Sequence, residues 1–311
     1  MRFLSPKKIF ELLRQAFREF KEKDPLSLAG ATAFFTSFAL PPIVIILIQV
    51  FGWVLNKKTI SDQLFGHLAV VLGRDSMGVI RRTSKGFEGL AHNWYIIVGG
   101  FIFMIFVATT LFIQLSKALN QLWNIKTDAH PGLAGFFKPR LKSLVVIILT
   151  GVLFVSHLKV ESLQVLMLDN IHFDSASKKI LSSVLSAFLS GIIMSTWFTL
   201  LFRYLASAHP EWGVAITGGI ITGILYCIGK LLLGRFLTTN NISPVFGFSG
   251  SFVQVLLFVF YISFILYYGW MFTKIWSKYR GRPIRLDGDA YEFIPVIPRA
   301  GQKIVRDKKV N

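Results

Sequence analysis

Two long apolar stretches in the C-terminal half of the chain constrain its fold most strongly. Residues 212–233 contain a single charged side chain, Lys230, and residues 250–268 contain none. About 20 apolar residues in a helix cross the roughly 30 Å hydrocarbon core of a bilayer. We therefore predict two membrane-spanning helices, joined by a turn-rich break in which Gly247 and Gly250 serve chain reversal or packing.

The composition of the whole chain is that of a membrane protein. Hydrophobic residues make up 53% of the 311 residues, and the mean hydropathy is +0.57. Charged residues make up only 16%, whereas soluble domains carry roughly 25%. The net charge of +18 would suggest nucleic-acid binding in a soluble protein. Here, basic loops that face anionic lipid explain it better, so we expect no nucleic-acid partner.

Further apolar stretches predict an all-α polytopic membrane protein with six transmembrane helices. An amphipathic helix over residues 1–24 is expected to lie on the membrane surface. The connection 56–93 is too long for a bare loop, so short helices are expected there. The basic tail 277–311 is expected to be mobile from Gly281 on. The predicted spans are about 28–55, 94–115, 141–158, 180–206, 212–233 and 250–272.

The distribution of Lys and Arg predicts the orientation in the membrane. Six spans put both termini on one side, and 23 of the 34 Lys and Arg residues fall on that side. Because Lys and Arg collect in cytoplasmic loops, both termini are placed in the cytoplasm. The first long apolar run begins near Leu28 and is too long for a signal peptide. The single cysteine, Cys227, excludes an intramolecular disulfide.

The fifth predicted span carries small and polar side chains on one face, as a 3.6-residue period shows. Gly219 and Gly223 form a GxxxG pair, which lets another helix approach closely. The serine face of the fourth span is the expected neighbour. Small residues often serve packing and a lysine near a helix end often snorkels to the interface, so a packing role and a binding role both remain open. The face comprises Ala215, Gly219, Thr222, Gly223, Tyr226 and Lys230.

Two adjacent prolines, Pro41 and Pro42, lie in the middle of the first predicted span. Neither has an N–H, so the carbonyls of Ser37 and Phe38 lose their helical hydrogen-bond donors. Lipid cannot satisfy a freed carbonyl. We therefore expect a kink that faces protein or water.

The sequence lacks the patterns of common catalytic and metal sites. Its six histidines show no i, i+4 pair and have no cysteine partner, and no nucleophile elbow or phosphate-binding loop occurs. We expect no catalytic residue, no metal and no cofactor. The predicted spans also contain no Asp or Glu, which argues against a proton or sodium relay.

A cation inside a helix bundle favours an anionic ligand, and a lipid phosphate is the natural candidate because basic loops gather anionic lipid. We therefore predict a carrier or flippase for an anionic amphiphile. The alternative is a non-transport membrane scaffold, formed as a homo-oligomer or with an envelope protein partner. A cavity lined by Lys230, Ser186 and Ser190 would favour the carrier. The predicted substrate-binding residues are Lys230, Tyr226, Thr222, Ser186, Ser190 and Arg203.

Several segments resemble the YihY/BrkB family of bacterial inner-membrane proteins. They are ATAFFTSFALPPIVIIL in the first span, LNQLWNIK after the second, and most of residues 209–273, which include a Pro-x-Trp start and a glycine-rich helix with a lysine. The similarity covers roughly residues 6–276. It implies a six-helix protein of the bacterial inner membrane, in a family whose members have been described as virulence factors and for which lipid movement has been proposed.

Two positions depart from that family's pattern. Phe246 stands where the family turn has Tyr, and Met271 stands where the last span of the family has an acid. An activity that needs this acid is therefore in doubt for this chain. The family has also been labelled a ribonuclease. We do not expect that activity here, because a nuclease needs metal-binding acids or histidines.

Overall fold

The structure is a computed structural model that describes residues 5–52, 61–66, 94–128, 133–169, 175–238 and 250–293. Within these residues the chain forms eight helices and four very short strands. The helices are α1 (Pro6–Lys21), α2 (Pro25–Gly52), α3 (residues 61–66), α4 (Trp94–Leu122), α5 (Leu133–Asp169), α6 (Ser175–Tyr204), α7 (Trp212–Thr238) and α8 (Gly250–Tyr279). The strands are β1 (Ile125–Thr127), β2 (Ala208–His209), β3 (Arg285–Leu286) and β4 (Ala290–Glu292).

Five of the described helices are long and apolar enough to cross a membrane, and they match five of the six predicted spans. They comprise Pro25–Phe51, Val98–Leu122, Val184–Tyr204, Trp212–Lys230 and Phe252–Tyr279. A mostly helical, polytopic membrane protein is therefore confirmed. α4 and α8 continue beyond the predicted ends at residues 115 and 272, because polar residues near their ends, such as Ser116 and Lys274, bond to other parts of the protein.

The pairing of the strands brings three helix ends together. β1 follows α4 and pairs with β4, whereas β2 follows α6 and pairs with β3. β3 and β4 are separated by only three residues after α8. The ends of α4, α6 and α8 therefore lie at one end of the bundle, which we call the strand end.

The remaining predicted span, residues 141–158, lies within α5, whose contacts show that it runs from the strand end of the bundle to the opposite end. The start of α5 is at the strand end, where Lys142 Nζ donates to the Ala206 carbonyl at 2.9 Å. Farther along α5, Gly151 packs against Phe51, near the opposite end of α2. Because α6 spans and ends at the strand end, α5 must carry the chain to the opposite side. Within the described residues, α5 therefore makes a sixth pass through the helix bundle, beside the five candidate spans.

The six spanning helices form a closed ring in which each helix contacts the next. Its order is α2, α4, α5, α6, α7, α8 and back to α2. α8 is the most buried of the candidate spans. At the strand end, large aromatic side chains fill the centre of this six-helix ring. They are Trp123, Phe198, Phe202 and Trp270.

α1 packs part of its apolar surface against α8 and the start of α7, and its place at the membrane surface stays a prediction. Its buried residues are Leu12, Ala16 and Phe20. Tyr268 of α8 donates its hydroxyl to the Leu13 carbonyl at 3.0 Å. Ile9, Phe10 and Phe17 of α1 are exposed, so the apolar surface of this helix is wider than the part that packs against α8.

The beginning of the C-terminal tail forms β3 and β4, which differs from its expected mobility, while the fold remains mostly helical. Lys126 lies opposite Tyr291 in the β1–β4 pair, and His209 lies opposite Arg285 in the β2–β3 pair. The tail is thereby fixed across two loops at the strand end. Residues 294–311, and the 56–93 connection apart from the helical residues 61–66, lie outside the described residues.

Candidate functional site

α7 presents two different faces, as its sequence predicts. One face is an exposed aliphatic stripe that meets lipid in a membrane. Its members are Ile216, Ile220, Ile224, Ile228 and Leu232. On the opposite side, Ala215, Thr222 and Tyr226 are buried. The small polar face therefore points into the protein.

Gly219 and Gly223 let α6 approach α7 closely. A Cβ atom on Gly219 would overlap the Thr199 hydroxyl, and one on Gly223 would overlap the Ser195 hydroxyl. The Cα atom of Ser195 would lie only 3.1 Å from the Cβ on Gly223, so the two backbones are themselves near each other. The expected neighbour of these glycines was the fourth span, and α6 is that helix.

Thr222 belongs to the contact between α7 and α8. Its fully buried hydroxyl donates to the Gly218 carbonyl at 2.8 Å and occupies the space that a Cβ on Gly269 would need. One turn away the arrangement is reversed, because Thr273 of α8 fills the space beside Gly218. Thr222, which was predicted to bind substrate, thus lies inside a tight helix contact.

Lys230 lies on the same side of α7 as Gly219, Gly223 and Tyr226, and its side chain is half-buried. Among the residues that the structure describes, it forms no hydrogen bond and no ion pair. Tyr226, one turn earlier, is 8% exposed. Sequence and structure therefore agree on the side of the helix from which Lys230 projects.

The contacts of α6 with α7 place the two predicted serines at about the level of Lys230 along the bundle. A Cβ atom on Gly191 would lie 3.4 Å from the Cys227 Sγ atom. The Ser195–Gly223 pair follows one helical turn later in the same antiparallel register. Continuing that register puts Ser186 and Ser190 level with residues 228–232. These three polar residues thus share one level, at the end of the bundle away from the strands. An apolar cavity between spans lies elsewhere, beside Thr150 and Trp197 of α5 and α6.

Arg203 lies far from this level. The same register puts it opposite Ala215, which is 15 residues, or about 22 Å, from Lys230 along α7. Its Nη1 donates to the Pro210 carbonyl at 2.7 Å, and its guanidinium lies 5.6 Å from the Trp212 ring. Arg203 thus fastens the loop between α6 and α7, so a site that includes both Arg203 and Lys230 does not form.

The paired prolines lie inside α2, which continues through both of them. Pro42 is buried and Pro41 is half-buried, so both face protein at least in part. One turn earlier, the Ser37 hydroxyl donates to the Ala33 carbonyl at 2.9 Å. The functional role of a kink here stays a prediction. Gly250 is the first residue of α8, and Gly247 lies outside the described residues.

A stacked tryptophan pair dominates the strand end of the six-helix ring. The Trp123 and Trp270 rings are 3.7 Å apart at their centroids and nearly parallel, at 6°. Beside them, the buried Lys274 ammonium donates to the Trp123 carbonyl at 2.9 Å and to Glu292 at 2.8 Å. Sequence reasoning missed this cluster, although the LNQLWNIK segment contains Trp123. Met271, at the position of the missing acid, is buried in the same core.

Asn120, in that same segment, links α4 to the α6–α7 loop. Its side-chain amide donates to the Ser207 hydroxyl at 3.1 Å, and its oxygen accepts the Ser207 N–H at 2.9 Å. Ser207 in turn accepts the Asp287 N–H at 2.9 Å, and Asp287 bonds to His209 at 2.7 Å. This network joins the end of α4, the α6–α7 loop and the C-terminal tail. The LNQLWNIK segment, which contains Asn120, therefore has a structural role.

Arg140, which lies just before the predicted span 141–158, reaches the apolar part of α4. Its Nη1 donates to the Phe106 carbonyl at 3.2 Å and to the Thr109 hydroxyl at 3.0 Å. Both acceptors lie well inside the apolar part of α4. Arg at a membrane-helix centre costs roughly 2.5–3.5 kcal/mol on insertion scales, so this position needs an account of its own.

Comparison with known proteins agrees with the architecture. A family model described as Virulence factor BrkB matches residues 16–290. A "UPF0761 membrane protein" of Saccharophagus degradans is 20% identical over 253 residues, which cover 80% of this chain and 55% of that relative. A protein of the same description from Teredinibacter turnerae is 21% identical over 261 residues, covering 83% and 57%. The chain thus spans little more than half the length of these curated relatives. No solved structure matches it.

Proposed function

This chain belongs to the virulence factor BrkB family, and we propose that it is a carrier or flippase for an anionic amphiphile, such as a phospholipid or a lipid-linked precursor. The proposed location is the bacterial inner membrane, with the strand end in the cytoplasm. No catalytic step, metal or cofactor is part of the proposal.

The observation that carries the proposal is the contrast between Lys230 and four other partly buried cations in or beside the spans. All four donate to an oxygen atom of the protein. These are Arg140, Lys142, Arg203 and Lys274. Lys230 is half-buried on the inner side of α7, yet it has no hydrogen bond or ion pair within the described part of the chain. A partly buried lysine that has no acceptor among the described residues favours an anion from outside the protein.

The charges around Lys230 support the same ligand class. No Asp or Glu occurs in any of the six predicted spans, so no intramembrane carboxylate competes for the ammonium. Ser186 and Ser190 are half-buried at the same level of α6. Hydroxyl groups at that position suit the oxygen atoms of a phosphate or carboxylate.

Aromatic side chains close the strand end of the six-helix ring, which bears on the side from which a carrier site would be reached. Trp123, Trp270 and Phe202 are all buried there, and the Phe202 and Trp270 rings lie 5.4 Å apart. A substrate bound at the level of Lys230 would have to enter and leave from the opposite end of the bundle. The described arrangement corresponds to a state closed toward the strand end.

A membrane scaffold is the second candidate, and the α6–α7–α8 contacts favour it. Hydroxyl side chains of neighbouring helices fill the space beside glycines on both sides of α7. The glycines are Gly219, Gly223 and Gly269. Close contacts of this kind hold helices firmly, as a scaffold for a second copy or an envelope protein requires.

Lipid movement in reconstituted vesicles tests the proposal. The purified full chain would be placed in phosphatidylcholine vesicles that contain fluorescent phosphatidylglycerol or fluorescent phosphatidylcholine in the inner leaflet. The carrier proposal predicts movement that is faster than in protein-free vesicles and selective for the anionic lipid. Equal rates with and without protein would contradict it and leave the scaffold.

A further inference from the structure

The start of α5 holds an arginine against the membrane-facing side of α4. The Arg140 guanidinium stacks on Phe106 at 4.0 Å, and its Nη1 also reaches the Phe106 carbonyl and the Thr109 hydroxyl. Both oxygens are neutral, and the guanidinium keeps its charge in any protein environment. The side chain is thus fixed in place by α4 with its positive charge intact.

This cation contacts the apolar part of α4. Ser116 of α4 donates to the Leu205 carbonyl at the end of α6, so Ser116 lies at the strand end of the bundle. Thr109 is seven residues farther in, or about 10 Å along α4. The guanidinium therefore contacts α4 about 10 Å inward from the level of Ser116.

Large apolar side chains that are open to lipid surround the arginine. They are Phe103 and Phe106 of α4 and Phe137 and Leu141 of α5, which are 45–66% exposed. Two residues before Arg140, Lys138 is exposed and pairs with Asp289 at 3.4 Å. The cleft between α4 and α5 thus combines a fixed cation with a surface for acyl chains.

We propose that this cleft binds the phosphate of an anionic glycerophospholipid from the leaflet at the strand end. The fork of the Arg140 guanidinium matches two phosphate oxygens. Phe137 and Leu141 would contact the acyl chains, which a free phosphate ion lacks. The occupant is therefore a lipid and not a soluble anion.

The site is separate from the proposed function. It lies at the opposite end of the bundle from Lys230, and a lipid could be held there whether or not the protein moves lipids. A carrier would gain a site that draws a headgroup into the leaflet. A scaffold would gain a bound structural lipid.

Titration of the detergent-purified full chain with phosphatidylglycerol or phosphatidylcholine, followed by native mass spectrometry, tests this site. Arg140→Gln is expected to lower the preference for phosphatidylglycerol about tenfold, as loss of a charged hydrogen bond implies. Arg140→Lys should keep part of the preference. The exposed control Lys138→Gln should change it less than about twofold, and excess inorganic phosphate should not displace the lipid.

An unchanged preference in Arg140→Gln would overturn the proposal, as would displacement by inorganic phosphate or an equal loss in Lys138→Gln. A clamp that only joins α4 to α5 would lower thermal stability in Arg140→Gln without changing the preference between the two lipids. A second experiment uses the unmodified protein, so its result does not depend on whether the variants fold. Photo-crosslinking with phosphatidylglycerol labelled near its headgroup should mark residues 101–110 and 136–143, and adducts confined to other segments would contradict the site. Failure of lipid movement in vesicles would leave this result unaffected.

Discussion

Trp123 and Trp270 are joined in two ways: their rings stack, and their indole N–H groups donate across the α4–α8 contact. Trp123 Nε1 donates to the Trp270 carbonyl at 3.1 Å, and Trp270 Nε1 donates to the Leu119 carbonyl at 2.9 Å. Neither indole leaves a polar atom unpaired. The pair therefore combines two large buried surfaces with satisfied donors.

Replacing Trp270 with Ala should destabilise the protein strongly. The change removes the stack and leaves a cavity, so the free energy of unfolding should fall by about 3–5 kcal/mol. Thermal or denaturant unfolding in detergent would measure the loss. Trp212→Ala is the matched control, because Trp212 is 48% exposed, and it should cost less than about 1 kcal/mol. Equal losses in the two variants would show that the stack does not hold the strand end.

Enlarging Gly223 should disrupt the contact between α6 and α7. Gly223→Leu would place a side chain against Ser195, and overpacking of this kind costs about 1–3 kcal/mol. Gly213→Leu is the control on the same helix, because no atom lies within 4 Å of a Cβ there. The comparison is made by unfolding in detergent. If Gly223→Leu unfolds like the parent and Gly213→Leu, α7 does not pack on α6 through this face.

The orientation of the strand end can be tested by cysteine labelling. Gly288 and Gly66 are exposed, and no atom lies within 4 Å of the position that a Cβ would take at either residue, so cysteine fits at both sites. In a Cys227→Ser background, Gly66→Cys should react with an impermeant maleimide in intact cells. Gly288→Cys should react only after permeabilisation. The reverse pattern would place the termini outside the cytoplasm.

Single-helix properties were predictable from the sequence. The length and hydropathy of a span, and the side of α7 that carries Gly219, Gly223 and Lys230, follow from composition and from the period of 3.6 residues. The same period could not tell which residues meet across a contact. Ser195 and Thr199, rather than the serines nearer the start of the fourth span, face the two glycines.

Long-range pairing at the strand end was not predictable. Lys274 looks like an ordinary interfacial lysine in the sequence, yet its carbonyl acceptor is 151 positions away. The tail did carry a weak signal, because Asp287-Gly288 is a common turn pair between short apolar segments. Its high charge and prolines suggested mobility instead. Likewise, the depth of Arg140 depends on where α5 packs on α4, which no local pattern records.

The central claim is that Lys230 binds the anionic group of a substrate. The most direct measurement is the rate of phosphatidylglycerol movement in vesicles with Lys230→Gln, Lys230→Arg and the exposed control Lys117→Gln, beside thermal stability. The account predicts a stable Lys230→Gln protein whose rate falls about tenfold or more, partial activity in Lys230→Arg, and parental activity in Lys117→Gln. A Lys230→Gln protein that moves the lipid at the parental rate would contradict the account.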